Sequence, residues 1–178
     1  MTPDTVLNFW FDELTPRDWY RKSDELDSTI RQRFAGLHAQ VAAGETWLWR
    51  QQPSGRLAEV IVLDQFSRNM FRNTPAAFAY DNMALALAQE AVAGGADSAL
   101  ETPQRAFLYL PYMHSESAVV HEQAMSLFAT LDSGNNLEYE IRHKAIIDQF
   151  GRYPYRNAIL GRDSTAAERK WMETNSGF

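Results

Sequence analysis

The side chains best suited to chemistry in this chain are gathered in two short segments that resemble each other. Residues 62–73 read VLDQFSRNMFRN, and residues 146–157 read IIDQFGRYPYRN. The two segments are identical at six of twelve positions, at a constant offset of 84 residues. Each carries two arginines and an asparagine, whose N–H groups bind carboxylates and phosphates. The motif therefore predicts either a site for a small anion or a structural element that the fold uses twice.

The spacing within each copy leaves both interpretations open. The aspartate and the first arginine are four residues apart, so on a helix they share a face. In the structural interpretation, buried Asp64–Arg68 and Asp148–Arg152 pairs join helices, and the arginines also meet helix C-terminal carbonyls. In the functional interpretation, the two copies face each other across one cleft. The candidate ligand-binding residues are then Arg68, Asn69, Arg72, Arg152, Tyr155, Arg156 and Asn157, with Asp64 and Asp148 as charge partners.

We expect the two copies to share one backbone shape, a helix end followed by a loop. We also expect Asp64 and Asp148 to be ionised and paired with arginine or backbone donors, because a carboxylate at a helix C-terminus needs a partner. Loss of Asp148 would then cost about 3 to 5 kcal/mol if its pair is buried.

A second group of polar residues follows Pro111. His114, Ser115 and Glu116 are expected at a helix start, where Ser115 as N-cap is one interpretation. The other makes His114 a general acid or base, with His114 and Glu116 as catalytic residues and the imidazole oriented by Glu116 or Asp148. The functional hypothesis places one set of side chains in a shared cavity: Arg68, Asn69, His114, Glu116, Arg152, Arg156 and Asn157.

Metal and cofactor sites have little support in the sequence. There is no cysteine, which excludes a thiolate site. His114 and His121 are seven residues apart, about 10.5 Å along a helix, which is too far for one ion. No second histidine accompanies His121-Glu122, and no phosphate-binding loop is present. We therefore predict no metal and no cofactor.

Composition indicates an ordinary globular protein. A chain of 178 residues with 45% hydrophobic content is expected to form one domain over residues 1–178. A net charge of −6 argues against nucleic acid as a partner. The N-terminus lacks the pattern of a targeting segment, and no apolar run reaches the length of a membrane span. We expect a cytoplasmic protein without a membrane partner.

Hydrophobic periodicity predicts an all-α fold of consecutive antiparallel helices, with no segment of strand period. The apolar N-terminal run, including Phe9 and Trp10, is expected to anchor on the core. The offset of 84 residues fits two helix pairs, so we predict a tetratricopeptide-like stack made of two drifted half-repeats. The main predicted helices span 24–44, 57–66, 75–94, 103–110 with a break or kink at Pro111, 115–131 closed by a turn over 132–134, 137–150, and 166–171 after a capping box of Thr165 with Glu168.

The sequence resembles the family called domain of unknown function 924. The resemblance extends from about Leu7 to Met172 and implies an all-α fold related to tetratricopeptide arrays, with no assigned activity. The chain departs from the family pattern at Ser67, Asn73 and Tyr155, where proline, glycine and histidine are common. A mechanism that requires a histidine at position 155 is therefore excluded here. The resemblance is carried by Leu63-Asp64-Gln65-Phe66, Arg68-Asn69, Phe107-Leu108-Tyr109-Leu110-Pro111, His114-Ser115-Glu116, Phe150-Gly151-Arg152, Arg156-Asn157, Leu160-Gly161-Arg162 and Ser164-Thr165.

Two functions follow from these observations. The first is a binding protein or enzyme for a small carboxylate or phosphate. The alternative is a module that binds a protein or peptide in a helical groove, with the motifs as scaffold. Burial of the arginines separates the two, because an enzyme encloses its polar residues in a pocket, whereas a repeat array presents them on an open concave face.

Overall fold

Helices supply the regular secondary structure of this chain. The structure is a computed structural model that describes residues 1–131, 134–175 and 177. No strand occurs in this described part, so the prediction of an all-α fold is confirmed. The α-helices are α1 (Pro3–Leu7), α2 (Pro16–Tyr20), α3 (Asp24–Ala42), α4 (Pro53–Ile61), α5 (Ser67–Met70), α6 (Asp81–Ala93), α7 (Thr102–Met113), α8 (Ala118–Phe128), α9 (Asn136–Phe150) and α10 (Ala166–Met172). Helical turns of π type occupy Asn8–Glu13 and Val62–Phe66, and 3₁₀ turns occupy Trp47–Gln51, Pro75–Phe78, Ala96–Ala99 and Pro154–Arg156.

The N-terminal aromatic residues anchor the first helix on the body of the protein, as predicted. Phe9 and Trp10 are almost fully buried. The Trp10 ring lies 5.7 Å from that of Phe66 and 5.5 Å from that of Phe107. These contacts join the chain start to α7 and to the π turn that carries the first motif copy.

The first motif copy lies inside a continuous helical run rather than at a helix end. Helix α4 continues through the π turn Val62–Phe66 into α5, which ends at Met70. The predicted end at Phe66 is wrong, because the buried Ser67 keeps helical dihedral angles and α5 follows directly. A π turn inserts one extra residue into the helix, and such turns are frequent at functional sites. Asp64 lies within this turn.

The predicted helix break at Pro111 is also wrong. Helix α7 runs through the buried Pro111 and ends at Met113. Pro111 has no N–H, so the helix lacks one i→i−4 hydrogen bond in its last turn. His114 follows as the C-cap, and Ser117 rather than Ser115 is the N-cap of α8. Helix α8 ends at Phe128, and residues 132 and 133 of the predicted closing turn lie outside the described residues.

The second motif copy leaves the helix where the first continues. Helix α9 ends at Phe150, and Gly151 takes a left-handed conformation with φ of 69°, as expected of a glycine after a helix. A 3₁₀ turn follows at Pro154–Arg156. The predicted common backbone shape is therefore wrong beyond the fifth residue of the motif. The predicted capping box of Thr165 with Glu168 is confirmed at the start of α10.

Two hydrophobic clusters meet beside the candidate site. The larger one includes residues from α1 to α8, and within it α6, α7 and α8 each pack on the next helix. The smaller one contains Ile146, Ile147 and Tyr153, with Trp171 packed against it. Tetratricopeptide-like stacking with two half-repeats stays a prediction. Among the described residues, none of the helices has the length and hydrophobicity needed to cross a bilayer.

Candidate functional site

A cleft of about 230 Å³ opens where three segments of the chain approach one another. One wall comes from the 3₁₀ turn Pro75–Phe78 and the start of α6, and another from the turn between α7 and α8. The third comes from the segment that begins at Arg156. Ten residues line the cleft: Pro75, Phe78, Ala79, Asp81, Asn82, His114, Ser115, Glu116, Arg156 and Leu160.

A carboxylate–imidazole pair lies at this cleft. Asp64 Oδ1 is 2.8 Å from His114 Nδ1, although the two residues are 50 positions apart in sequence. Asp64 is almost fully buried; it forms an ion pair with Arg68 Nη1 at 2.9 Å and accepts a hydrogen bond from Gln65 Nε2 at 2.6 Å. The π turn therefore places one carboxylate where three donors converge. The predicted pairing of Asp64 with an arginine is confirmed.

The surroundings of the pair determine its protonation. Although burial opposes it, Arg68 and His114 together hold the pKa of the Asp64 carboxyl well below its usual range. Burial and the nearby Arg68 charge lower the pKa of His114. At neutral pH the aspartate is therefore ionised, and the neutral imidazole donates its Nδ1–H to Asp64. The lone pair of His114 is then on Nε2, for which no hydrogen-bond partner occurs among the described residues.

Arg68 and Asp81 form the floor beside this pair. Arg68 donates to both carboxylate oxygens of Asp81 at 2.9 Å and to the Asp64 backbone carbonyl at 2.9 Å. The carboxylates of Asp64 and Asp81 thus surround the guanidinium and raise the pKa of Arg68. Arg68 is fully engaged in these bonds, so it organises the site rather than presenting unused donors to it.

Arg156 is a cationic residue of the cleft with weak ion pairing. Its guanidinium carbon lies 4.8 Å from the ring centre of Phe78 and 4.5 Å from that of Tyr153. Among the residues that the structure describes, its ion-pair contact is from Nη1 to Asp81 Oδ2 at 3.5 Å. The side chain is 7% exposed, and its buried Nε finds no hydrogen-bond partner in the described part of the chain. Arg156 therefore brings a guanidinium with only one long ion pair to the wall of the cleft.

Glu116 lines the cleft but does not orient His114. Its carboxylate makes a two-bond pair with Arg162, at 2.6 and 2.9 Å, and accepts the Tyr153 backbone N–H at 2.8 Å. These bonds lower its pKa against the opposing effect of burial. The expectation that Glu116 or Asp148 orients His114 is wrong, since Asp64 does so.

Two predicted site residues of the first copy point elsewhere. Arg72 and Asn69 both donate to Asp27 on α3, and Asn69 Nδ2 lies 2.7 Å from Asp27 Oδ1. These bonds attach the end of α5 to α3. The side chains do not line the cleft.

Two predicted site residues of the second copy, Arg152 and Asn157, also bond outside the cleft. Arg152 pairs with the Glu168 carboxylate at 2.6 and 2.9 Å, and Asn157 donates to Ser164 Oγ at 3.0 Å. These bonds close the loop between α9 and α10. The predicted Asp148–Arg152 pair is wrong, because the exposed Asp148 pairs with Lys144 at 2.8 Å.

Tyr155 packs against the smaller hydrophobic cluster, with its ring centre 5.4 Å from that of Tyr153. Burial raises its pKa to about 12. It is not among the residues that line the cleft. Of the seven side chains predicted to share one cavity, the structure brings His114, Glu116 and Arg156 into the cleft and Arg68 directly behind it.

Sequence reasoning missed the role of Asp81, which pairs with both Arg68 and Arg156. Asp81 lies in the first turn of α6, where an acidic residue is ordinary at a positive helix end, so nothing in the pattern marks it. Arg162 did belong to a segment that resembles the family. Its pairing with Glu116 spans 46 residues and has no local signal.

No arrangement of three or more His, Asp or Glu side chains suitable for a metal ion occurs among the residues that the structure describes. The carboxylates at the cleft already pair with arginine, histidine or backbone donors.

Comparison with known proteins gives a relative of known structure. A structure of a protein of unknown function, ATU0120 from Agrobacterium tumefaciens, is similar with a TM-score of 0.93 and 34% sequence identity. The similarity covers 97% of each chain. No curated protein matches. The family model for bacterial proteins of unknown function, DUF924, matches residues 6–176. The chain therefore belongs to the DUF924 family.

Proposed function

We propose that this protein binds a small carboxylate or phosphate in the cleft and acts on it with His114 as general base. The observation that carries the proposal is the position of two unused groups on one cleft. His114 and Arg156 both line the cleft, and the neighbouring Asp64, Arg68 and Asp81 already pair with one another.

Arg156 is suited to hold an anion. A guanidinium is planar and binds a carboxylate or phosphate through two parallel hydrogen bonds. The aromatic rings of Phe78 and Tyr153 hold its plane in place. Because Asp81 is shared with Arg68, it neutralises Arg156 incompletely. An anion in the cleft would complete the pairing.

His114 is suited to take a proton. A neutral imidazole whose Nδ1–H is held by a carboxylate keeps its lone pair on Nε2, which is the arrangement of a general base. Asp64 also stabilises the imidazolium that forms when His114 takes a proton. The reacting group is then a water molecule, or an acidic O–H or C–H of the bound molecule.

The shape of the cleft narrows the ligand class. Phe78, Ala79 and Leu160 supply apolar surface next to Arg156. A carboxylate carried on a small apolar or aromatic body matches this pairing of one cation with one apolar wall.

The binding part of the proposal is tested by thermal denaturation with benzoate, acetate and inorganic phosphate. We expect benzoate to raise Tm most, because a ligand that binds only the folded state stabilises it by mass action. Arg156→Gln should abolish this rise. Arg152→Gln is the matched control, because Arg152 belongs to the same motif but pairs with Glu168 outside the cleft. An equal rise in the Arg156→Gln protein, or no rise in the wild type, would contradict the proposal.

The catalytic part is tested with small esters that keep a free anionic group for Arg156, such as acetoxybenzoates and phenyl phosphate. We expect His114→Gln to remove turnover while the benzoate-dependent rise in Tm persists. His38→Gln is the control, because His38 is also a largely enclosed histidine but bonds to Ser67 away from the cleft. Turnover that survives His114→Gln would exclude His114 as the base.

The alternative function, a protein- or peptide-binding module of tetratricopeptide type, stays a prediction. The motif arginines do not favour it. Their side chains are only 7% to 29% exposed, and each has a carboxylate partner, so they are enclosed rather than displayed on an open face.

A further inference from the structure

The backbone on both sides of His114 is held by side chains from other parts of the chain. The Met113 carbonyl accepts a hydrogen bond from Tyr153 Oη at 2.5 Å. The Ser115 carbonyl lies 2.9 Å from His121 Nε2. Because a carbonyl oxygen can only accept, His121 must carry a proton on Nε2. Tyr153 and His121 also contact each other, with Oη 3.3 Å from Nε2.

His121 is in turn held by Glu140 on α9. His121 Nδ1 lies 2.6 Å from Glu140 Oε1, and both side chains are completely buried. Since Nε2 carries its own proton, one further proton lies between Nδ1 and Oε1. The other carboxyl oxygen, Oε2, is buried with no hydrogen-bond partner in the described residues. An ionised carboxylate would leave that oxygen uncompensated, and burial raises the pKa of Glu140. This hydrogen bond keeps the His121 ring oriented with its Nε2–H towards the Ser115 carbonyl.

We propose that His121 is a positioning residue for His114, and that Glu140 holds the His121 ring in the orientation that this requires. The Nε2–H of His121 holds the peptide group after His114, while Tyr153 holds the one before it. This proposal deepens the general-base role proposed above and rests on it for its functional meaning. Its structural content is that the imidazole of His114 stays on Asp64 because the turn around it cannot relax.

The pKa of His114 reports whether its ring stays in this position. The charged groups that act on its ring are Asp64 of the π turn, Arg68 of α5 and Asp81 of α6. His143 of α9 also interacts with it electrostatically. Burial and Arg68 lower the pKa of His114 in this position, against the opposing effect of Asp64. An imidazole released from the turn gains solvent, so its pKa returns towards the ordinary value of about 6.5.

The experiment is a pH titration of the histidine side chains by ¹⁵N NMR in the ligand-free protein. The chain has only four histidines, so each signal can be assigned from single variants. His121→Leu removes the donor to Ser115, while His121→Gln keeps an N–H at nearly the same place. His38→Leu is the matched control, because it also removes a buried histidine and one hydrogen bond, to Ser67, without touching the His114 turn.

We expect His121→Leu to raise the pKa of His114 and to replace its single Nδ1–H tautomer by a mixture. The His121→Gln and His38→Leu proteins should keep the wild-type titration and tautomer. A His114 titration in His121→Leu that matches the wild type would overturn the proposal, and so would a shift of equal size in His38→Leu.

A second variant decides the question if His121→Leu does not fold. Glu140→Ala removes the side chain that holds Nδ1, so the His121 ring is free to turn or to carry its proton on Nδ1, and Ser115 loses its bond for part of the time. We expect a smaller shift of the His114 pKa in the same direction, and no shift would overturn the proposal. These measurements use the ligand-free protein, so they test the role of His121 even if no anion binds. Absence of anion binding would refute the proposed function and leave the role of His121 untouched.

Discussion

The two aspartates of the repeated motif should differ sharply in their contribution to stability. Asp64 and Asp148 occupy equivalent motif positions, but Asp64 is 1% exposed and Asp148 is 49% exposed. Asp64 accepts hydrogen bonds from His114 and Gln65 and forms an ion pair with Arg68. Within the described residues Asp148 bonds only to Lys144, which also pairs with Glu122. We therefore compare Asp64→Ala with Asp148→Ala.

The magnitude follows from what each substitution leaves behind. Removing one partner of a buried charge pair costs about 3 to 5 kcal/mol, because the other charge stays buried without compensation. Arg68 keeps both bonds to Asp81, so its charge remains paired, and the main loss falls on the Nδ1–H of His114. We expect Asp64→Ala to lower the free energy of unfolding by about 3 kcal/mol. Asp148→Ala should change it by no more than about 0.5 kcal/mol, as for ordinary surface substitutions.

Urea denaturation followed by circular dichroism measures both variants, with thermal denaturation as a check. For a chain of this size, a loss of about 3 kcal/mol corresponds to a fall in Tm of about 6 to 12 °C. Equal losses in the two variants would refute the reasoning, because they would mean that motif position rather than burial sets the contribution. A loss below about 0.5 kcal/mol for Asp64→Ala would show that the buried pair does not form.

Three further expectations concern the loop between α9 and α10 and the buried histidine of α9. The hydrogen bond from Arg152 lowers the pKa of Glu168 to about 2, so their pair should stabilise the protein above the ordinary pKa of 4.5 and lose this effect as the pH falls towards 2; Arg152→Gln should flatten that part of a stability–pH curve. Burial lowers the pKa of His143 to about 3, so between pH 6.5 and 3 the unfolded chain binds a proton that the folded protein does not. The free energy of unfolding should therefore decrease as the pH falls from 6.5 to 3, and it should decrease less in His143→Gln. Gly151→Ala should cost about 1 to 2 kcal/mol in urea denaturation, because its φ of 69° strains an L-residue although the added methyl group meets no atom within 4 Å; no loss would mean that the helix end shifts.

The repeated motif predicted that its two copies serve one common site, and the structure supports this prediction only in part. Both copies are helical up to their phenylalanine, which is the part that the hydrophobic pattern determines. The next residue separates them, because Ser67 continues the helix and Gly151 takes the left-handed conformation that ends it. Because the first copy continues as a helix and the second turns away at Gly151, the arginines that follow reach different partners. Arg68 therefore meets Asp81, and Arg152 meets Glu168.

Part of the candidate site could be found from residue types alone. His114 and Arg156 are the two groups with unused capacity at the cleft, and both were expected there on chemical grounds. Asp81 could not be found, because the first turn of α6 would favour an acidic residue whether or not arginines lay nearby. The partner of His114 could not be found either, since Asp64 was expected to pair with an arginine and does so as well.

The sequence by itself determined the helical class, the aromatic anchor at the N-terminus, the end of α9 at Gly151 and the capped start of α10. These features depend on periodicity, glycine conformation and capping, which act over a few residues. Only the tertiary structure decided the pairings, because Asp64 meets His114 across 50 residues and Arg162 meets Glu116 across 46. A charged side chain accepts any opposite charge that the fold brings within reach. Which one arrives depends on how the helices pack, and no local pattern records it.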